Sequence, residues 1–373
     1  MTSSDTDSTG RPDRRSVLTL AVVVAIVGGL FLAGRIVPAP TLLPNERRAA
    51  ARAPSLSVGS VLDTSFMKGF ENYAADAFPL REPFRTLHAS TVLKVFGQTD
   101  KSGLYEGAAG LGSLDPVKPA SVELAADKIR RVADSLPGLH IYYGLIPDKS
   151  TYAGRYLPGF DAEQAQSILD GRLAGLTAVP LTDALSADAF YRTDLHWDQA
   201  RLGPVVDALG RAMGFVPDLG GFSSQDAGTF RGAYAGQWAL PVAPDTMTYL
   251  TAPGVTAQYL DPVTRTMTPG PVYDPGAITG IDPYNLFLGG PQPLVVLTNP
   301  QASSDRQLFW FRDSFSSSLA PLLTSAYAKI TLIDLRYIST SALSGLVDFP
   351  PGSDVLFLYS SQVLNNAGTL LVS

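Results

Sequence analysis

Six short apolar runs, at residues 140–146, 179–181, 294–298, 307–311, 330–335 and 355–359, constrain this chain more than any other feature. Their apolar residues are near-continuous instead of alternating with polar ones, the pattern of strands covered on both faces. Helical patterns lie between some of them. Val122, Ala125, Ala126, Ile129 and Val132 make one apolar face, and Leu202, Val205, Val206, Leu209 and Met213 make another. Strands alternating with helices predict an α/β domain around a mostly parallel sheet. Residues 215–290 are rich in Gly, Pro, Thr and Tyr with few helical patterns, and are expected to form an irregular or β-rich insertion over that sheet.

Composition narrows the chemistry. With 45% hydrophobic and 17% charged residues, extensive disorder is excluded. A net charge of −6 argues against nucleic acid as a partner. The absence of cysteine removes disulfides, thiolate metal sites and cysteine nucleophiles together. Three scattered histidines, His88, His140 and His196, do not suggest a metal centre, and no cofactor is expected.

The beginning of the chain sets the compartment. Residues 17–34 are uncharged and mostly apolar, with Arg14 and Arg15 before them and Arg35 after. That length is near the lower limit for a membrane-spanning helix. A cleaved signal peptide is the rival reading, because Arg14-Arg15-Ser-Val-Leu loosely resembles a twin-arginine signal. The expected order is a disordered cytoplasmic tail (1–15), a transmembrane helix (16–37), a proline-punctuated linker (38–59) and a folded domain (60–365). The helix would anchor the protein in the bacterial cytoplasmic membrane, with the domain outside the cytoplasm.

Two short runs carry candidate chemistry. In Phe311-Arg-Asp-Ser-Phe315, Ser314 follows a strand, at the sheet edge where open α/β sheets bind ligands. Its hydroxyl can serve as a nucleophile, its backbone N–H can face an oxyanion, or it can simply cap the next helix, expected over 316–323. In Tyr191-Arg-Thr-Asp-Leu-His-Trp197, Asp194 can orient His196 as a general base. The alternative is a local Asp–His bond that stabilises a turn. Asp198 can cap a helix beginning at Gln199, in which Pro204 would strain the second turn. Asn285 is a candidate oxyanion donor or an ordinary turn residue. Arg312 can hold an acidic substrate group or pair at the strand end. Lys149 can touch substrate or face water.

The order of these runs resembles the DHHW proteins and the related SGNH-hydrolase-like alginate O-acetyltransferase proteins of bacterial envelopes. Asp76-Ala-Phe-Pro-Leu-Arg81, Pro147-Asp-Lys149, Thr193-Asp-Leu-His-Trp197, Arg312-Asp-Ser-Phe315, Ile333-Asp-Leu-Arg-Tyr337 and Asp354-Val-Leu-Phe-Leu-Tyr359 carry the resemblance. It implies a three-layer SGNH-like α/β/α domain with a circularly permuted motif order. It also implies Ser314 as nucleophile, His196 as base and Asp194 as its orienter, acting in acetyl transfer to a polysaccharide. A multi-spanning membrane-bound O-acyltransferase is the implied partner. Leu195 stands where the signature has its first histidine, and Arg312 replaces the glycine of the Gly-Asp-Ser form. A polysaccharide acetylesterase and a non-catalytic envelope assembly protein are the rival functions.

Overall fold

The computed structural model describes residues 13–154 and 159–373. Residues 1–12, most of the expected tail, lie outside the described residues. The chain forms two compact units, Met1–His88 and Ala89–Ser373.

The first unit opens with the helix Arg14–Ile36, started by the Asp13 carboxylate, which accepts from the Arg15 N–H. Its stretch Arg14–Gly34 is long and apolar enough to cross a membrane, and none of it is buried. Twenty-one residues rise roughly 30 Å. Further on, Ser65–Asp76 is the helix expected from Phe66, Phe70 and Tyr73. Asp76 is its buried last residue. It takes both guanidinium nitrogens of Arg48 at 2.7 Å and the Ala51 N–H at 2.9 Å. Phe78-Pro79-Leu80 then turns the chain, with Leu80 at φ 60°, into the helix Arg81–Ser90.

The second unit is built on an eight-stranded sheet. Its strands are β1 (His140–Ile146), β2 (Thr177–Ala178), β3 (Thr256–Leu260), β4 (Met267–Gly270), β5 (Leu294–Thr298), β6 (Gln307–Arg312), β7 (Lys329–Ile333) and β8 (Asp354–Ser360). The spatial order is β4-β3-β5-β7-β6-β8-β1-β2. From β7 to β2 every neighbouring pair is parallel, while β4, β3 and β5 extend the sheet antiparallel. Five of the six apolar runs became strands nearly as expected. The sixth slipped: the short edge strand is Thr177–Ala178, and Val179 adds only one backbone bond, to the Tyr143 carbonyl.

Helices cover both faces, which is why these strands read as continuous apolar runs. Leu308 and Trp310 of β6 and Leu356 and Leu358 of β8 pack with Val205 and Leu209 of the helix Gly203–Met213. Their alternates Phe309, Phe311, Val355 and Phe357 pack with Val122 and Ile129 of the helix Pro119–Asp134 and Leu169 of Ala162–Arg172. The result is the three-layer α/β/α domain. Truncating a ring such as Phe309 to alanine costs about 3–5 kcal/mol in such a core.

Residues 215–290 do more than cover the sheet, since they supply β3 and β4. They also form a ribbon, Ser223–Phe230 paired with Asp245–Thr251, whose connection holds the helix Ala233–Trp238. Pro204 causes no strain. A 3-10 turn, Gln199–Arg201, capped by Asp198, ends before it, and Pro204 sits in the first turn of a new helix, where no N–H is needed.

Candidate active site

Because β6, β8 and β1 run parallel in adjacent positions, their C-terminal ends bring Asp313, Ser360 and Lys149 to one edge of the sheet. Asp313, buried, ties that edge together. One carboxylate oxygen accepts the Phe315 N–H at 3.1 Å, and the other accepts the Ser360 N–H at 2.6 Å. The chain therefore turns sharply from β6 into the short helix Phe315–Leu319, which continues as a 3-10 turn, Ala320–Ser325, with Pro321 at its start. Ser314 stands at the turn. It is the one residue between Leu308 and Thr324 that is not buried. Its side chain makes no capping bond, so the capping alternative fails.

Instead the hydroxyl meets His196. Ser314 Oγ lies 2.9 Å from His196 Nε2, and His196 Nδ1 lies 2.7 Å from Asp194 Oδ1. The same Asp194 oxygen accepts the His196 backbone N–H at 3.1 Å, and Oδ2 accepts the Ala233 N–H at 2.8 Å. The carboxylate is wholly buried and the imidazole nearly so. Nε2 is thus left facing the hydroxyl while Nδ1–H is held by the carboxylate, the arrangement that makes an imidazole a proton acceptor for a serine.

The loop carrying Asp194 is braced from distant parts of the chain. Asp245, from the ribbon, accepts the Arg192 and Thr193 N–H groups at 2.8 and 2.7 Å, and the Thr193 hydroxyl as well. Thr193 Oγ1 in turn accepts from the Gly232 N–H at 2.8 Å. A Cβ on Gly232 would lie 2.3 Å from the Thr193 carbonyl oxygen, so only glycine fits that approach.

Lys149 is buried and does not face solvent. Its buried Nζ donates to the Tyr191 carbonyl at 2.7 Å and the Asp194 carbonyl at 3.0 Å, gripping both ends of the loop. Burial pushes its pKa down to about 8, against the pull of the Asp194 and Asp148 carboxylates. Arg312 is also turned inward. Its guanidinium donates to Ser317 Oγ at 3.1 Å and approaches Asp334, which is paired with Arg336 at 2.6 Å. The side chain is buried, and that burial lowers its pKa.

Three contributors were not legible beforehand. Tyr284, on the 3-10 turn Pro283–Leu286, lays its ring on the His196 imidazole. Its hydroxyl donates to Ser318 Oγ at 2.7 Å, and that oxygen also accepts from Trp197 Nε1 at 2.9 Å. Asp245 and the Gly232-Ala233 pair are the others. Spacing gave no signal for any of them, because each reaches the site only through tertiary contacts. Asn285 shares the turn of Tyr284 and is half-buried. Its Oδ1 lies against Gly290, whose φ of 80° and lack of a Cβ make the room.

No protein-family model matches this chain, and no curated protein matches it. Solved structures do. A DHHW family protein from Eubacterium siraeum is 18% identical with a TM-score of 0.59, over 74% of this chain and 97% of that one. Bacillus cereus PatB1, solved with a sulfonyl adduct, is 14% identical with a TM-score of 0.55, over 72% and 98%. The O-acetyltransferase domain of Pseudomonas putida AlgJ is 17% identical with a TM-score of 0.41, over 71% and 93%. With the first two the path of the backbone is what is shared, and this chain has the α/β/α fold of that DHHW family protein and of PatB1.

Proposed function

We propose that this protein is a membrane-anchored O-acetyltransferase that acts outside the cytoplasm on an envelope or secreted polysaccharide. The observation that carries the reading is the unbroken relay from Asp194 through His196 to a half-exposed Ser314. The resemblance of six motifs to the alginate O-acetyltransferase-type proteins supports acetyl as the transferred group. The apolar helix Arg14–Gly34 supports the anchor.

In this mechanism Ser314 Oγ attacks the donor's acetyl carbonyl while its proton passes to His196 Nε2. The tetrahedral oxyanion is held by the Ser314 backbone N–H and the Asn285 amide. As the intermediate collapses, the imidazolium returns its proton to the leaving group, and acetyl-Ser314 remains. A sugar hydroxyl then gives its proton to Nε2, attacks the acetyl carbon, and departs as the acetyl ester when Oγ recovers the proton. Asp194 keeps Nδ1 protonated throughout and stabilises the imidazolium. A multi-spanning O-acyltransferase supplying the acyl group across the membrane completes the proposal.

The test is an acetyl-ester assay on the full chain in detergent, with and without an oligosaccharide acceptor. Transfer that vanishes in Ser314→Ala supports the reading. Acetate release without transfer favours a polysaccharide acetylesterase. Equal rates in wild type and variant leave only a non-catalytic assembly role.

A further inference from the structure

The helix pair that follows the membrane-spanning helix turns several large apolar side chains outward. Leu80, Phe84 and Leu87 lie along one side of Arg81–Ser90, and Leu80 and Leu87 are 64% and 61% exposed. The two arginines of this helix point the other way. Arg81 and Arg85 have side chains only 19% and 17% exposed, and both reach Glu46. Arg81 also lies 3.8 Å from the buried Asp76, which binds Arg48. In the preceding helix Met67 and Phe70 are exposed as well, and Phe78 between the two helices packs edge-on against Phe84. Water favours burying such side chains, and a concentration of large exposed apolar residues in one segment marks an interaction surface.

The position of this face selects its occupant. Pro79, in the turn between the two helices, lies beside Gly34 at the end of the membrane-spanning helix: a Cβ on Gly34 would be 3.8 Å from Pro79 Cδ. The apolar face is therefore held where that helix leaves the hydrocarbon. We propose that Met67, Phe70, Leu80, Phe84 and Leu87 form a second membrane contact, lying in the bilayer interface beside the anchor. This rests on the reading of Arg14–Gly34 as an anchor. The paired charges of Arg48, Asp76, Arg81 and Glu46 then serve as the core of a segment whose outer surface is lipid. An interfacial helix of this kind sits about 5–10 Å into the headgroup and acyl boundary.

The chain's lack of cysteine makes the test direct. Single replacements Val24→Cys, Phe70→Cys, Leu87→Cys and Ser223→Cys are labelled with a fluorophore in the full chain. Each is reconstituted in phosphatidylcholine–phosphatidylglycerol vesicles with and without brominated acyl chains. The expected result is a roughly twofold loss of fluorescence at positions 24, 70 and 87 with none at 223, since bromine quenches only within the hydrocarbon boundary. Quenching at 24 but not at 70 or 87 overturns the proposal and leaves the anchor standing. No quenching at 24 removes the anchor, and the proposal with it. Disulfide-linked dimers of the unlabelled Leu87→Cys chain, without quenching at 87, assign the face to a second copy and also overturn it.

Discussion

The Tyr284 ring lies flat on the His196 imidazole, with ring centroids 3.7 Å apart and planes within 8° of parallel. Phe315 tilts in at 4.8 Å, so the imidazole is held by rings as well as by Asp194. Tyr284→Ala is expected to lower acetyl-ester turnover roughly tenfold or more, an aromatic pair being worth about 0.5–1.5 kcal/mol beyond its buried area. Tyr284→Phe keeps the ring and should keep most of the rate. Equal losses in the two variants would assign the effect to the hydroxyl bond with Ser318 instead.

Asp194→Asn tests the relay without altering its shape. An amide cannot accept from His196 Nδ1–H on the one side and the Ala233 N–H on the other. Turnover should fall on the order of 10⁴-fold, as when the acid of such a triad is neutralised. A sulfonyl fluoride should label wild-type Ser314, weakly label Asp194→Asn, and leave Ser314→Ala unmodified, as read by intact mass.

Lys149 gives a pH signature. Its folded pKa of about 8 lies below the value of an exposed lysine. Between the two, the unfolded chain binds more protons than the folded one, so stability rises with pH from about 8 towards 10. The gain by pH 9.5 should reach up to ~2 kcal/mol, and Lys149→Met should lack it. Above pH 10 the trend reverses, because buried tyrosines such as Tyr284 hold their protons only in the fold. Urea midpoints followed by tryptophan fluorescence check this, since Trp197, Trp238 and Trp310 all lie in the unit that carries Lys149.

Gly232→Ala places a methyl 2.3 Å from the Thr193 carbonyl oxygen and 2.4 Å from Asp194 Cβ. The loop must move, at a cost of about 1–3 kcal/mol. Turnover should fall while the far-ultraviolet dichroism is unchanged. An alanine variant with wild-type rates would show that the loop is looser than its bonds suggest.

Much of this was legible in the sequence for identifiable reasons. The doubly covered strands declared themselves because β6, β7 and β8 are apolar on both faces. The Asp-x-His and Asp-Ser pairs were visible because each is local. Arg312 follows its paired alternative, beside Ser317 and Asp334, while Lys149 is buried against Tyr191, 42 positions away, a contact that no local pattern signals. Residues 215–290 look irregular because β3 and β4 are short antiparallel strands at one end of the sheet, and their ribbon braces the site through contacts such as Asp245 to Thr193. Periodicity cannot announce a contact made once, across 52 positions.

The sheet order has a consequence for biosynthesis. β8 is the last of the eight strands to be made, yet it belongs between β6 and β1, and its Ser360 N–H completes the bond that fixes Asp313 beside Ser314. A chain emerging amino end first holds Ser314, His196 and Asp194 well before it holds the strand that locks the serine's turn. Nascent molecules therefore lack the bond that fixes the serine's turn until that central gap is filled.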